Sequence, residues 1–190
     1  MFLDKGYEKT GMEAVAEAAG VGIMTIYRHF ENKEALFGAV IDRATPKHTD
    51  TREWSEQPPH IGLPIAARIF LRAILEPAEL DLYRVVLGEA RRFPELGRRY
   101  HAVFIEGRNH VLGGYLADQH RLGLLQAPNP LASAALFGAM LKSGPFESVL
   151  FHATAGGATE QIDDHIARCC ESFLRLHGPP IAPPRRGAEG

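Results

Sequence analysis

The sequence predicts an all-α protein. Signals for β-strands are scarce, and apolar residues recur at helical spacing along nearly the whole chain. Glycine and proline residues divide this pattern into segments of helix length. With 190 residues the chain is long enough to bury a substantial core, either as one medium domain or as two small ones.

The first predicted helix begins near Thr10. The stretch from Thr10 to Glu13 has the Ser/Thr-x-x-Glu form of a capping box, which satisfies free N–H groups at a helix start. A one-faced apolar stripe follows, formed by Met12, Val15, Ala16 and Ala19. We expect this helix to end at Gly20, because glycine readily adopts the left-handed conformation found at helix ends.

Two more short helices follow at once. The second spans Gly22 to Phe30, with Ile26 and Phe30 on its buried side. Asn32 is a favourable N-cap for the third helix. The apolar face of that third helix is formed by Leu36, Phe37, Val40 and Ile41. Two helices joined by a tight glycine-containing turn predict a helix-turn-helix in the first 45 residues.

The remainder of the chain predicts five further helical segments. A polar, proline-containing stretch at 45–60 is typical of a hinge. The predicted helices are 61–76, 78–92, 94–122, 131–152, which Gly144-Pro145 should kink or split, and 159–177, whose face holds Ile162, Ile166, Cys169, Cys170 and Phe173. The last residues, 178–190, are proline-rich and are expected to be disordered.

Composition excludes some classes of protein. The net charge of −2 gives no overall basic character of the kind that many nucleic-acid-binding proteins show. Cys169 and Cys170 are adjacent, so we expect two buried thiols rather than a disulfide framework. The first residues do not resemble a signal peptide, and no segment has the length of apolar sequence that a membrane span requires. These features favour a cytoplasmic location.

The second helix of the predicted helix-turn-helix has the side chains needed to read DNA. On a helical wheel Met24, Thr25 and Arg28 face outward and Tyr27 lies at the border. Arg28 could bind a guanine edge with two hydrogen bonds, Thr25 a phosphate or base, and Met24 a thymine methyl group.

Lys33 is difficult to explain by structure alone. It lies in the first turn of the third helix, where the helix dipole disfavours a cation. A bound anion such as a DNA phosphate would reverse that effect, because free N–H groups and the ammonium would converge on it.

The stretch KGYEKTGMEAVAEAAGVGIMTIYRHFENKEAL resembles the DNA-binding region of the TetR family of one-component repressors. The matching motifs are Gly6-Tyr7, Thr10, Ala19-Gly20-Val21, the recognition helix from Thr25 to Phe30, and the Lys33, Glu34, Leu36 start of the next helix. The resemblance implies phosphate contacts from Thr10, Tyr27, His29 and Lys33, with Met24, Thr25, Tyr27 and Arg28 nearest the bases. His29 could instead simply pack against Phe30.

Three departures from the family pattern are visible. Gly22 stands where the family has a Ser or Thr cap, and Ile23 and Met24 make the front of the recognition helix unusually apolar. The family also has a longer helix before Gly6-Tyr7, of which only the last turn, Met1 to Asp4, is present. Because Phe2 and Leu3 look like the end of an amphipathic helix, we expect the natural start to lie further upstream.

The resemblance extends to the rest of the chain. It implies a DNA-binding domain at 1–45 with a truncated first helix, an effector-binding and dimerisation domain at 46–177, and the tail at 178–190. A homodimer would form through helices 131–152 and 160–177, aided by small residues such as Ala134, Ala135, Gly138 and Ala139. Candidate walls of a small-molecule effector pocket are Phe70, Ile74, Leu87, Tyr100, His101, Phe104 and Asn109. By resemblance, the effector would release a repressor from a palindromic operator by shifting its conformational population.

Other functions are less well supported by the sequence. Glu106 and His110 lie one helical turn apart, but no third residue at metal-ligand spacing joins them, so we predict no metal site and no cofactor. Neither a nucleophile elbow nor a phosphate-binding glycine loop is present, so we do not expect an enzyme. One alternative stays open, namely a ligand-binding helical dimer of this fold that has lost DNA binding.

Overall fold

The computed structural model describes residues 1–44, 51–151 and 159–178, and these residues contain helices and turns but no strand. The helices are α1 (Phe2–Lys5), α2 (Met12–Ala19), α3 (Ile23–His29), α4 (Lys33–Ala44), α5 (Arg52–Ser55), α6 (Pro59–Ile74), α7 (Pro77–Glu89), α8 (Pro94–Tyr100), α9 (Gly107–Arg121), α10 (Pro130–Lys142), α11 (Pro145–Leu150) and α12 (Thr159–His177). The predicted all-α class is confirmed. Almost all of the predicted proline-rich tail, and residues 45–50 of the predicted hinge, lie outside the described residues.

Helices α1 to α4 form what we call the N-terminal head, residues 1–44. Gly20 ends α2 in the left-handed region, with φ 66°, and two residues then lead into α3. Asn32 caps α4 as predicted, since its side-chain oxygen accepts the Ala35 N–H at 2.8 Å. Helices α2 and α3 pack against each other, so the head has the predicted helix-turn-helix.

The predicted hinge at 45–60 is wrong in its second half. Residues Arg52–Ser55 form the short helix α5, and Trp54 is buried with only 3% of its surface exposed. The Trp54 ring packs edge-on against Tyr115 at a centroid distance of 5.2 Å. Most residues of this segment are polar, and the single large apolar side chain of Trp54 anchors it to the core.

The long helix predicted from Pro94 to Leu122 is present but is not regular. Between α8 and α9 the residues His101–Glu106 form a π-helical segment, which widens the helix by one residue per turn. Tyr100 and Phe104 stack on its inner side with ring centroids 4.6 Å apart.

The last helices form an antiparallel layer. Asn129 accepts the Ala132 N–H and so caps α10. Gly144 adopts φ 93° and Pro145 begins α11, so the predicted break at Gly144-Pro145 is confirmed. At the end of α12, His177 is buried and its Nε2 lies 3.0 Å from the Ser133 hydroxyl.

The buried side chains form two clusters. One is made mainly by α5, α6, α9, α10, α11 and α12, with Leu80 of α7, and includes Cys169 and Cys170, which are free thiols. Burial raises the pKa of Cys170 to about 12, so it stays protonated. The other cluster joins the N-terminal head to α7, α8 and the π-helical segment. Its aromatic members Phe2, Tyr7 and Phe37 pack together, and Tyr7 also contacts Phe93, which lies between α7 and α8.

Candidate nucleic-acid interface and ligand cavity

The outward face of α3 carries the predicted recognition residues. Met24 is 77% exposed and Tyr27 is 45% exposed, while Ile26 between them is 8% exposed. Arg28 and His29 are exposed, and Thr25 is half-buried. The structure therefore brings Met24, Thr25, Tyr27, Arg28 and His29 together on one short helix.

The helix start carries no side-chain cap, as the glycine at its N-cap implies. Gly22 has an extended backbone, with φ −69° and ψ 145°, which is the usual N-cap conformation. Ile23 is half-buried, so the first residue of α3 packs against the head while Met24 turns outward. His29 is exposed and its ring lies 6.4 Å from that of Phe30, so its packing against Phe30 is slight.

Thr10 does not occupy the predicted position. The N-cap of α2 is Gly11, and the Thr10 hydroxyl donates to the Gly6 carbonyl at 2.8 Å. Thr10 is also fully buried, at 0% exposure. The predicted capping box is therefore wrong, and the hydroxyl tightens the turn between α1 and α2 instead. The phosphate contact from Thr10 stays a prediction.

Lys33 has a structural role that was not predicted from the sequence. Its ammonium donates to the Glu8 carbonyl at 3.0 Å and lies 4.4 Å from the centre of the Tyr7 ring. These contacts join the start of α4 to the segment after α1 and compensate for the unfavourable helix dipole. The ammonium has three N–H donors, so a phosphate contact stays compatible with this position.

A cavity of about 490 Å³ lies between α6, α7, the α8–α9 helix and α10. All of the predicted pocket residues line it, namely Phe70, Ile74, Leu87, Tyr100, His101, Phe104 and Asn109. They come together because the inner faces of these helices converge here.

The cavity also holds a charged pair that was not predicted from the sequence. Glu79 is 8% exposed, and its Oε1 accepts hydrogen bonds from the Tyr100 hydroxyl at 2.9 Å and from Arg108 at 3.1 Å. Burial, followed by the nearby Glu79 charge, raises the pKa of Tyr100, so its phenol stays protonated and donates. Arg108 lies four residues after Phe104 and next to Asn109, a spacing that could have indicated that it faces the same cavity.

Family models match both parts of the chain. Residues 1–40 match the model of bacterial regulatory proteins of the tetR family, and residues 62–179 match the C-terminal domain of AefR-like transcriptional repressors. The chain belongs to the TetR family. It is therefore a TetR-family transcriptional regulator with a helix-turn-helix, as the sequence resemblance implied.

Similar proteins agree with this assignment. A solved structure of a TetR-family transcriptional regulator from Mesorhizobium loti is 28% identical, with a TM-score of 0.84, and the match covers 93% of this chain and 91% of that one. Over 43 residues, 23% of this chain, the transcriptional activator FasR of Mycolicibacterium smegmatis is 42% identical and the transcriptional repressor ComR of Escherichia coli is 46% identical. This chain covers only 20% of the length of each of these curated relatives.

In this TetR-family regulator, α8 touches both the N-terminal head and the cavity. Arg99 makes a two-pronged ion pair with Asp42 of α4, in which its Nε donates at 2.8 Å. The next residue, Tyr100, lines the cavity. Arg92 adds an ion pair with Glu8, so two charged contacts join the head to the helices around the cavity.

The predicted dimerisation helices expose part of their apolar surface. On α10, Ala134 is buried, whereas Ala135 and Ala139 are exposed and Gly138 is half-buried. The exposed fractions are 41% for Leu136 on α10, 46% for Leu131 on α10 and 67% for Leu176 on α12. In the described part of each helix, small and apolar side chains are therefore available to a partner.

The described residues hold neither a metal-ligand cluster nor a membrane-spanning helix. Within them, no group of three or more His, Cys, Asp or Glu side chains is placed to hold a metal ion. His101 Nδ1 lies 3.2 Å from Oε1 of the Glu106 carboxylate. His110 Nδ1 lies 2.8 Å from the Glu106 carbonyl oxygen and does not contact that carboxylate. None of the described helices is long and apolar enough to cross a membrane.

Proposed function

We propose that this TetR-family regulator is a repressor that binds a palindromic operator as a homodimer and releases it when a small molecule occupies the cavity. The observation that carries the proposal is the outward face of α3, where Met24, Tyr27 and Arg28 are exposed around a buried Ile26. An exposed arginine beside apolar and aromatic side chains is better suited to contact the edge of a DNA base than to lie in bulk water. The protein would act in the cytoplasm, where its operator is.

In this proposal the residues of the head divide the contacts. Arg28 binds a guanine edge, Met24 contacts a thymine methyl group, and Thr25 and Tyr27 contact bases or phosphates. His29 and Lys33 bind phosphates at the edge of the interface. Residues 1–45 would be the DNA-binding domain and 46–177 the effector-binding and dimerisation domain, followed by the tail at 178–190.

Dimerisation sets the spacing of the two heads. Two-fold symmetry places two copies of α3 on successive turns of the major groove, and this is why the operator should be palindromic. The exposed small and apolar residues of α10 and α12 support an interface through these helices.

Release would follow from the position of α8. A ligand in the cavity contacts Tyr100, and the adjacent Arg99 holds Asp42 of the head. A ligand that binds better to a rotated α8 would therefore favour a conformation with the heads misplaced. The match of residues 62–179 to AefR-like repressors supports repression rather than activation.

The first test is fluorescence anisotropy of the full chain with labelled DNA from beside its own gene, titrated with salt. We expect tight, selective binding that weakens steeply with salt, because phosphate neutralisation releases counterions. Arg28→Ala should lose roughly 1–3 kcal/mol of binding to the operator and much less on unrelated DNA. The matched control, Arg121→Ala, removes an exposed arginine at the end of α9 and should bind as the wild type does.

The direction of regulation needs a separate assay. In an in vitro transcription reaction, addition of the protein should reduce transcription from its own promoter region. Increased transcription would instead make it an activator, as FasR is, to which this chain is 42% identical over 43 residues. A folded dimer that fails to bind DNA even when its chain is extended upstream would support the alternative function, a ligand-binding dimer that has lost DNA binding.

A further inference from the structure

A second compartment of about 440 Å³ lies beside the cavity already described. The two share Phe70, Phe104, Arg108, Asn109 and Gly138, so Arg108 and the two phenyl rings stand between them. The second compartment reaches further towards α5, whose Trp54 forms part of its wall. Its other walls are almost entirely aliphatic or aromatic side chains, so it suits an apolar ligand body.

Trp54 contributes an unused hydrogen-bond donor. Its indole is 3% exposed, and the buried indole N–H has no hydrogen-bond partner in the described part of the chain. Buried tryptophan N–H groups usually find an acceptor, because an unpaired donor away from water is unfavourable. Because Trp54 forms part of the wall, an oxygen atom of a bound molecule that reached the indole N–H from this compartment would satisfy it.

Arg108 contributes the charge. Its guanidinium lies 5.3 Å from the Phe104 ring centre and 5.9 Å from that of Phe70. Among the described residues it makes one hydrogen bond, to Glu79, although guanidinium carries five N–H donors. Glu79 lines the first cavity and not the second, and no aspartate or glutamate among the described residues lines the second. The polar groups of this compartment are therefore mostly donors, with a positive charge at one side.

We propose that the effector is an amphipathic organic acid: an apolar chain or ring that fills the Trp54 compartment, a carboxylate bound by Arg108, and a second oxygen that accepts the Trp54 N–H. Arg108 can bind this carboxylate while keeping its bond to Glu79, because the two acceptors take different N–H groups. The inference rests on the proposed function in taking the cavity as the effector site. It deepens that function because the ligand would contact α5. That helix begins eight positions after the last residue of α4, which belongs to the N-terminal head.

The test uses four probes of nearly equal shape and the full chain without DNA. Phenylpentanoate, phenylpentanol and phenylpentylamine differ only in carrying an anionic, a neutral or a cationic end. Benzoylbutyrate is phenylpentanoate with a carbonyl in place of the methylene next to the ring. Affinities are measured by calorimetry, and Trp54, the one tryptophan in the chain, reports binding of the phenylpentyl probes through its own emission.

We expect phenylpentanoate to bind at least about tenfold more tightly than phenylpentanol, and the amine to bind more weakly still. Arg108→Gln should reduce the advantage of the acid over the alcohol to about twofold, whereas Arg121→Gln, on the exposed end of α9, should leave it unchanged. Benzoylbutyrate should bind several-fold more tightly than phenylpentanoate, roughly the worth of one hydrogen bond. Trp54→Phe should abolish this difference while leaving phenylpentanoate binding nearly intact.

Two results would overturn the proposal. One is an alcohol or amine that binds as tightly as the acid, and the other is a folded protein whose Trp54 emission responds to none of the phenylpentyl probes. Failure of the protein to bind DNA in the anisotropy assay would contradict the proposed repressor but would not change these affinities, so the two ideas fail separately.

Discussion

Replacing Gly62 by alanine should displace α5 and the tryptophan that it carries. A Cβ atom at Gly62 would lie 2.5 Å from the Tyr115 hydroxyl oxygen and 2.7 Å from the Trp54 carbonyl oxygen. The second of these is a backbone atom, so a side-chain rotation cannot relieve the clash. Helices α5 and α6 would have to separate, and the Tyr115 hydroxyl would be pushed from the Gln57 carbonyl that it donates to at 2.9 Å.

The size of the effect follows from three contributions. Overpacking of this kind typically costs about 1–3 kcal/mol. Loss of the Tyr115 hydrogen bond adds about 1 kcal/mol, and the better helix propensity of alanine returns about 1 kcal/mol. The expected net loss in the free energy of unfolding is therefore about 2 kcal/mol.

Urea unfolding followed by helical circular dichroism measures this loss, at one fixed protein concentration because dimerisation would also affect stability. The matched control is Gly114→Ala, in an exposed part of α9 where a Cβ would meet nothing within 4 Å. That variant should gain about 0.5–1 kcal/mol from helix propensity alone. If Gly62→Ala proves as stable as Gly114→Ala, the close contact between α5 and α6 does not exist as described.

Two further predictions concern the N-terminal head. Asp42→Asn should lower the free energy of unfolding at neutral pH by no more than about 1 kcal/mol, because Asp42 and Arg99 are each about half exposed. Hydrogen bonds from Arg99 hold the pKa of Asp42 below its ordinary value of 3.8. The stabilisation is therefore fully present above pH 3.8 and is lost as the pH falls through the lowered pKa. Urea midpoints of the two proteins should converge in acid, and a difference that persisted there would contradict the ion pair. Gly22→Ser should raise the urea midpoint by the equivalent of a few tenths of a kcal/mol, because the extended backbone and open space at this N-cap suit a serine; a lower midpoint would contradict that geometry.

The features that the sequence predicted correctly depend on neighbours within about one helical turn. Asn32 caps α4, Gly20 ends α2 in the left-handed region, and Gly144-Pro145 breaks the chain between α10 and α11. Each follows from the local chemistry of a side chain or of a ring-constrained backbone. The helical spacing of Tyr100 and Phe104 likewise placed both on the inner face that lines the cavity.

The errors concern contacts between distant parts of the chain. Lys33 looked unexplained because its partners, Tyr7 and the Glu8 carbonyl, lie in the segment after α1. Charged residues are usually solvent-exposed, so nothing near Glu79 in the chain placed it inside a cavity, where Arg108 and Tyr100 satisfy its carboxylate.

The misplaced cap at Thr10 has a different origin. Its pattern fitted a capping box, but α2 begins one residue later than that pattern requires, with Gly11 at the N-cap, and the Thr10 hydroxyl donates to the Gly6 carbonyl. The π-helical segment His101–Glu106 has no sequence signal that separates it from an ordinary helix, because the same apolar spacing serves both.

The shared core between the N-terminal head and α7–α8 bears on how sensors could be assembled from this protein. A chimera that joins residues 1–44 to the C-terminal part of another regulator would separate Tyr7 from Phe93 and Asp42 from Arg99. The C-terminal part of the other regulator would then not pack against Phe2 and Phe37. We expect the chimera to unfold or to lose the proposed response to a ligand. A transplant that carries the facing residues of α7 and α8 with the head would keep the packing, and with it the contacts on which the proposed release depends.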